Sequence, residues 1–324
     1  MARMIRVHAP GGPEVMELEE VALAAPSAGE VQVRNAAIGF NFIDIYQRRG
    51  LYPLPLPTGL GHEGAGEVVA VGAGVTAFKP GDKVAYMNAG IGAYADLRNV
   101  PADKLVAIPE GIGLEEAAAV FFKGMTAQYL LKRTYKVGPG DLVLVHSAAG
   151  GVGQILASWA KALGATVVGT AGSDEKCAIA RAVGCDIAIN YSKPDWVETL
   201  LAATGGRKAN VVYDAVGKDT FLKSLDCAAP FGLVVLYGAA SGPVPAFEPE
   251  LLSKKGCLYL TRPSVFPHNA DTDTFRANAA DLFDALAKGF VKPAIGARFP
   301  LAEVREAHRV AEARAVTGAI LLIP

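Results

Sequence analysis

The chain has 324 residues, 51% hydrophobic and 19% charged, with 31 basic residues against 32 acidic and a formal net charge of −1. That length suits two domains, and that composition fills large cores and excludes disorder. Charges of both signs are interspersed with no basic block, which leaves no electrostatic case for nucleic acid or an anionic membrane as partner; a small neutral or mildly polar substrate is expected.

Through about residue 120 the chain is rich in Gly, Pro and short β-prone runs, such as 30–34 and 83–86, broken by turn clusters such as Lys79-Pro80-Gly81-Asp82, and reads as a mainly β domain. After Leu114, strand and helix signals alternate. Strands are predicted at 141–145, 165–169, 186–189, 210–214, 232–237 and 256–260, with helices at 150–163, 173–183 and 193–203, the pattern of a parallel sheet with crossover helices. A helix at 272–288 and a last strand at 318–323 follow. The fold class expected is therefore α/β, with a nucleotide domain at 123–262 inserted between two portions, 1–122 and 263–324, of a catalytic domain. No run approaches the ~20 apolar residues of a spanning helix, and the N-terminus carries no leader-like pattern. The cysteines, Cys177, Cys185, Cys227 and Cys257, show no Cys-x-x-Cys spacing, which suits reduced thiols and a cytoplasmic location.

Between Gly61 and Val75 the chain meets every fixed position of G-H-E-x-x-G-x(5)-G-x-x-V. This resembles the signature of the medium-chain dehydrogenase/reductase superfamily, which implies a GroES-like mainly β catalytic domain joined to a Rossmann doubly wound parallel-sheet domain. In zinc-dependent members the resemblance implies a cysteine about twenty residues upstream and a second well downstream, because catalytic zinc needs three protein ligands and an open position. Here Asn41 stands at the upstream position and Phe121-Phe122-Lys123-Gly124 occupies the downstream region. His62 and Glu63 alone do not complete a site, so no metal is expected and His62 is read as a hydrogen-bonding residue.

The run His146-Ser147-Ala148-Ala149-Gly150-Gly151-Val152-Gly153 follows a predicted strand and opens a predicted helix, the context of a dinucleotide fingerprint with Ala148 in place of the usual first glycine. Gly150 lets backbone approach a pyrophosphate, Gly153 allows close helix-to-strand packing, and the helix start offers the N–H groups of Gly151 and Val152 to the phosphates. An NAD site wants an acid at the tip of the second strand, but the chain reads Gly169-Thr170-Ala171-Gly172-Ser173 there. Asp174 and Glu175 suit a helix first turn, whereas Ser173 and Lys176 suit a 2′-phosphate, so NADPH is the expected cofactor.

The segments Asn41-Phe42-Ile43-Asp44, Gly50-Leu51-Tyr52-Pro53, Ala148 to Gly153 and Thr261-Arg262-Pro263-Ser264 together resemble the zinc-free, zeta-crystallin-like quinone oxidoreductases. That likeness implies Thr126 at the nicotinamide carboxamide, Ser173, Lys176, Tyr191 and Arg314 around the 2′-phosphate, and Tyr237 and Gly238 along the nicotinamide half. It further implies NADPH-dependent reduction of a quinone, with Asn41 and Tyr52 as hydrogen-bond donors to its oxygen and Tyr46 as a wall. A quinone is already a good acceptor, so the cofactor carries the chemistry and the protein positions it. Hydride transfer and one-electron steps remain open. The rival activity is an enoyl-thioester reductase in which Tyr52 protonates carbon, and the non-enzymatic rival is an NADPH-binding, crystallin-like protein. The apolar final strand of the nucleotide sheet is placed at an edge, and a homodimer joined through that edge is expected.

Overall fold

Alternate positions of Val31-Gln32-Val33 place two fully buried valines on one face of an extended segment, the period-two pattern of a strand with one face in a core. The computed structural model describes all residues, Met1–Pro324. They form one unit of Met1–Met125, His268–Phe283 and Pro293–Pro324 and a second of Thr126–Pro267 and Asp284–Lys292.

Along the first part run β1 (Ala2–Val7), β2 (Met16–Val21), β3 (Glu30–Gly39), α1 (Phe42–Arg48), β4 (Thr58–Gly59), β5 (Glu63–Val71), β6 (Lys83–Met87), β7 (Leu97–Pro101), β8 (Leu105–Ala107) and α2 (Leu114–Tyr129). The second unit carries β9 (Leu142–Val145), α3 (Gly151–Ala162), β10 (Thr166–Ala171), α4 (Asp174–Ala182), β11 (Ile187–Asn190), α5 (Trp196–Ala203), β12 (Ala209–Asp214), α6 (Phe221–Cys227), β13 (Ala228–Leu236), α7 (Glu250–Lys254) and β14 (Tyr259–Thr261). The chain ends with α8 (Val265–His268), α9 (Thr272–Ala287), β15 (Ile295–Pro300), α10 (Val304–Glu312) and β16 (Ala319–Ile323).

In the first unit a sheet ordered β15-β16-β3-β5-β6-β8, with β7 also on β3, stands beside a three-stranded β2-β1-β4 sheet. Its core gathers Ile5, Val33, Ile38, Val68, Tyr86, Tyr94 and Leu322. Gly124, inside α2, faces the Leu282 side chain of α9, where an added Cβ would come within 2.4 Å; the glycine permits that close approach. Nearby, Phe121 stacks on Phe283 at 5.9 Å and meets Phe275 edge-on at 6.0 Å. Each ring pair is worth ~0.5–1.5 kcal/mol beyond burial.

The second unit is a six-stranded sheet, β11-β10-β9-β12-β13-β14, with every neighbouring pair parallel. Its order reverses beside β9: the chain passes from β9 to β10 and β11 on one side, then returns to β12 on the other. Ligands of doubly wound sheets bind outside the carboxyl ends of the strands at such a reversal. The six predicted strands are these six, while the last is shorter than expected and begins at Tyr259. Six helices, α1, α2, α6, α7, α8 and α10, escape the sequence pattern, the longest of them α2 and α10. α2 is apolar almost all round, which hides its period, and α10 is a short run whose buried face is Val304, Ala307, His308 and Ala311.

Candidate functional site

At the end of β9 the chain turns sharply into α3. The left-handed residue of that turn is Ser147, at φ 56°, rather than the alanine that replaces the fingerprint's first glycine. Ala148 is fully buried, its N–H donates to Thr170 O at 2.9 Å, and room for its methyl comes from Gly169, whose own Cβ would fall 2.8 Å from it. Gly153 is required by contact: a Cβ there would stand 2.2 Å from Ser147 O and 2.8 Å from Ala148 Cα. At Gly150, the N-cap of α3, a Cβ would be 3.2 Å from Ser147 O, tight but not prohibitive. No side chain caps α3, so the N–H groups of Gly151 and Val152 stand at a helix start that favours anions.

At the tip of β10, Ser173 caps α4, its Oγ accepting from Lys176 N at 3.3 Å. A Cβ on Gly172 would lie 3.4 Å from Tyr191 Oη, which places that phenol at the same tip. Tyr191 N–H donates to Ala171 O at 3.0 Å and Ser192 Oγ to Gly172 O at 2.9 Å. The Ser173 hydroxyl and the Tyr191 phenol thus lie at one tip, with Lys176 in the first turn of α4. Asp174 is engaged by Asn190 at 3.1 Å and Lys193 at 3.2 Å.

At the ends of β12 and β13, Tyr237 and Gly238 both donate their N–H to Asp214 O, at 2.9 and 3.3 Å. Gly238 admits no side chain, since a Cβ would come within 2.5 Å of Ala215 O. Arg262 holds this loop from β14, donating to Leu236 O at 2.9 Å and Gly238 O at 3.3 Å. Thr126 is buried on α2 where the second unit begins, whereas Arg314 belongs to the first unit, following α10 at φ 54°.

The first unit contains a buried polar cluster of its own. Glu63, fully buried, accepts from Asn41 Nδ2 at 2.8 Å and Lys123 Nζ at 3.2 Å through Oε1, and from Phe122 N at 2.8 Å through Oε2. Gly39 makes room for the carboxylate, for a Cβ there would fall 2.1 Å from Oε1. The second Asn41 amide hydrogen points toward Gly39 O at 3.4 Å, so the donors of Asn41 are turned inward in this arrangement. His62 Nε2 lies 2.9 Å from Gln47 Oε1, and burial, aided by Arg98, lowers its pKa to about 4. It is a neutral imidazole donating to an amide.

Beneath this cluster, Asp44 Oδ2 accepts from Asn41 N at 2.9 Å and Tyr94 Oη at 2.7 Å. Tyr94 approaches His308 Nε2 at 3.4 Å, and Arg48 donates to His308 Nδ1 at 2.9 Å and to Glu312 at 2.5 Å. This network ties α1 to α10. Tyr46 and Tyr52 form an edge-to-face pair, with centroids 5.5 Å apart and Tyr52 39% exposed.

Residues 27–110 match the family model described as "Alcohol dehydrogenase GroES-like domain", and residues 151–282 the one described as "Zinc-binding dehydrogenase". Over 325 aligned residues, and 100% of both chains, the sequence is 49% identical to a quinone oxidoreductase of Pseudomonas aeruginosa. The chain belongs to the quinone oxidoreductases of the medium-chain dehydrogenase/reductase superfamily. Its fold matches the crystal structure of Escherichia coli quinone oxidoreductase complexed with NADPH at a TM-score of 0.97, with 45% identity and 100% of each chain covered. A 2-haloacrylate reductase from Burkholderia sp. is 43% identical over 98% of each chain.

Around Glu63 the side chains do not form a donor set for the zinc named in the second family description. Of the groups around Glu63, Asn41 offers an amide, Lys123 an ammonium, and His62 a ring already bonded to Gln47. The ammonium neutralises Glu63 and would repel a dication, leaving fewer than the three ligands that catalytic zinc takes. Lys123, Asp44 and His308 were not singled out by sequence reasoning. Only the Asn41-x-x-Asp44 spacing, half of a capping box, offered a local signal.

Proposed function

We propose that this protein reduces quinones with NADPH and uses no metal to do so. The observation that carries the reading is the pairing of an intact phosphate turn with a donor set that suits no zinc ion. Lewis-acid polarisation of oxygen is what zinc supplies to the reduction of a ketone, whereas a quinone accepts reducing equivalents without it. Ser173, Lys176 and Tyr191, at the strand tip where NAD-binding sheets carry an acid, support the phosphorylated cofactor.

Bound NADPH supplies the reducing equivalents. Gly150, Gly151, Val152 and Gly153, with the turn that Ala148 shapes, hold its pyrophosphate, while Thr126, Tyr237 and Gly238 orient the nicotinamide. Tyr52 hydrogen-bonds the acceptor oxygen and stabilises charge developing there, and Tyr46 packs against it. Asn41, expected from the sequence to share that role, instead donates its amide hydrogens to Glu63 and Gly39 O and orders the buried cluster. Metal-stripped protein assayed with NADPH and NADH against benzoquinone tests this; turnover that appears only on adding zinc would refute it.

A second reading, reduction of an activated carbon–carbon double bond such as that of an enoyl thioester, is favoured by the 2-haloacrylate reductase relative and by the exposed Tyr52 phenol, which can deliver a proton to carbon. Replacing Tyr52 by Phe separates the two: it abolishes alkene reduction that depends on this proton and only weakens quinone reduction.

We further read the protein as a cytoplasmic homodimer paired through β14. That strand ends the six-stranded sheet, with Tyr259 63% exposed and Phe231 on β13 70% exposed. Open strand edges of this kind tend to be paired or covered. Light scattering that gives a monomer mass would refute the pairing.

A further inference from the structure

Below the phosphate turn lies a chain of buried polar side chains. His146, the residue before Ser147, is fully buried, with Nδ1 2.7 Å from Thr170 Oγ1 and Nε2 3.0 Å from Ser224 Oγ. Ser224 Oγ reaches Asp214 Oδ2 at 2.8 Å, and Thr220 Oγ1 reaches the same carboxylate at 2.9 Å. Asp214 Oδ1 also accepts from Val216 N at 2.8 Å and Gly217 N at 3.0 Å. Thr170, Asp214 and Ser224 have no exposed surface, and Trp196 closes the site edge-on to the imidazole at 5.5 Å.

A buried carboxylate takes the strongest donors available, so the Ser224 hydroxyl proton points to Asp214. Ser224 Oγ is then the acceptor for His146, whose Nε2 carries the proton; neutral Nδ1 accepts from Thr170. One direction of donation satisfies the whole chain. Burial lowers the His146 pKa against the opposing pull of Asp214, in keeping with an uncharged ring.

Each end of this chain meets a different loop. His146 leads directly into the phosphate turn. Thr170 lies just before the Ser173 tip, and its carbonyl also accepts from Ala148 N at 2.9 Å. Asp214 fixes the Val216 and Gly217 amides through its carboxylate and the Tyr237 amide through its carbonyl, at 2.9 Å. These are the loops assigned above to pyrophosphate, 2′-phosphate and nicotinamide.

We propose that His146 is a positioning residue for NADPH, a neutral, Nε2-protonated strut that holds the three cofactor loops in register through Thr170, Ser224 and Asp214. The inference rests on the NADPH reading and specifies what keeps that site formed. Because the strut acts on bound cofactor rather than on reacting atoms, its loss should appear in KM for NADPH more than in kcat.

The test compares full-length wild type with His146→Leu, His146→Gln, Ser224→Ala and Leu225→Ala, measuring KM for NADPH, kcat with benzoquinone, and the unfolding midpoint. Leu225 is a fully buried core residue of the same unit outside the chain and controls for general destabilisation. His146→Leu should raise KM at least about tenfold with kcat at saturating NADPH changed less than about threefold. His146→Gln, which restores a donor toward Ser224, should recover part of the loss, and Ser224→Ala should shift KM in the same direction. Leu225→Ala should leave KM unchanged despite a lower midpoint. Should His146→Leu not fold, Ser224→Ala carries the comparison. An unaltered KM in the His146 and Ser224 variants, or an equal rise in Leu225→Ala, overturns the proposal. Absence of NADPH turnover in wild type would instead overturn the reading beneath it.

Discussion

Replacing Lys123 by Met should destabilise the protein far more than the loss of one side-chain contact, because it leaves the Glu63 carboxylate charged and buried. The Nζ–Oε1 separation is 3.2 Å and both side chains are almost wholly buried. At an effective dielectric of about 20, that separation corresponds to an attraction of about 5 kcal/mol. Breaking a buried pair from one side costs ~3–5 kcal/mol, a large share of a domain's stability. The Asn41 and Phe122 donors that remain soften the loss without matching the missing charge. Combining Lys123→Met with Glu63→Gln removes the stranded charge and should recover at least ~2 kcal/mol of it. Urea titrations followed by far-UV circular dichroism on wild type, both single variants and the double variant give the coupling directly. Additive losses would refute the view that Lys123 neutralises Glu63, as would a Lys123→Met variant as stable as wild type.

Three other outcomes follow from the geometry. Gly153→Ala should lower both the melting temperature and NADPH affinity much more than Gly150→Ala, since the added Cβ would meet Ser147 O at 2.2 Å in one case and 3.2 Å in the other; equal effects measured by thermal melting and cofactor titration would contradict the close-packing role. Burial, opposed by the Asn41 N–H and the Tyr94 hydroxyl, raises Asp44 from 3.8 to about 7. The folded state therefore binds more protons between those values, and Asp44 lowers stability as pH rises through them, with a ceiling of ~4 kcal/mol. Burial lowers His62 to about 4 and His308 to about 3, so these two act in the opposite sense, removing stability as pH falls below 6.5. Asp44→Asn should thus gain relative to wild type between about pH 4 and pH 7 in denaturant titrations, and a constant difference would contradict the raised carboxyl. Lys176→Ala should raise KM for NADPH several-fold and leave KM for NADH nearly unchanged, and an equal rise for both would remove Lys176 from the 2′-phosphate.

Local signals made much of this fold readable. The strands of the second unit are short apolar runs bounded by turn residues, and the turn at 147–153 sits between strand and helix as its glycines require. Ala148 looked like a simple substitution for glycine, but Ser147 takes the left-handed conformation and Gly169 supplies the space for the methyl. No nearest-neighbour pattern announces either. In the first unit the elements that form the buried cluster lie far apart in sequence: Asn41 precedes α1, Glu63 opens β5 and Lys123 lies on α2, so their meeting is a property of the tertiary fold. His308 and Arg48 are 260 positions apart, and the short helix bearing His308 had too few apolar residues to be recognised. The same distance effect hid the His146–Asp214 chain, whose members read singly as ordinary strand-end and helix residues.

The most direct test of the function is NADPH and NADH oxidation by metal-stripped protein with 1,4-benzoquinone, 9,10-phenanthrenequinone and crotonyl-CoA as alternative acceptors. NADPH-selective quinone reduction that persists in the presence of chelator is the expected result. Turnover confined to crotonyl-CoA, or quinone turnover restored only by added zinc, would contradict it.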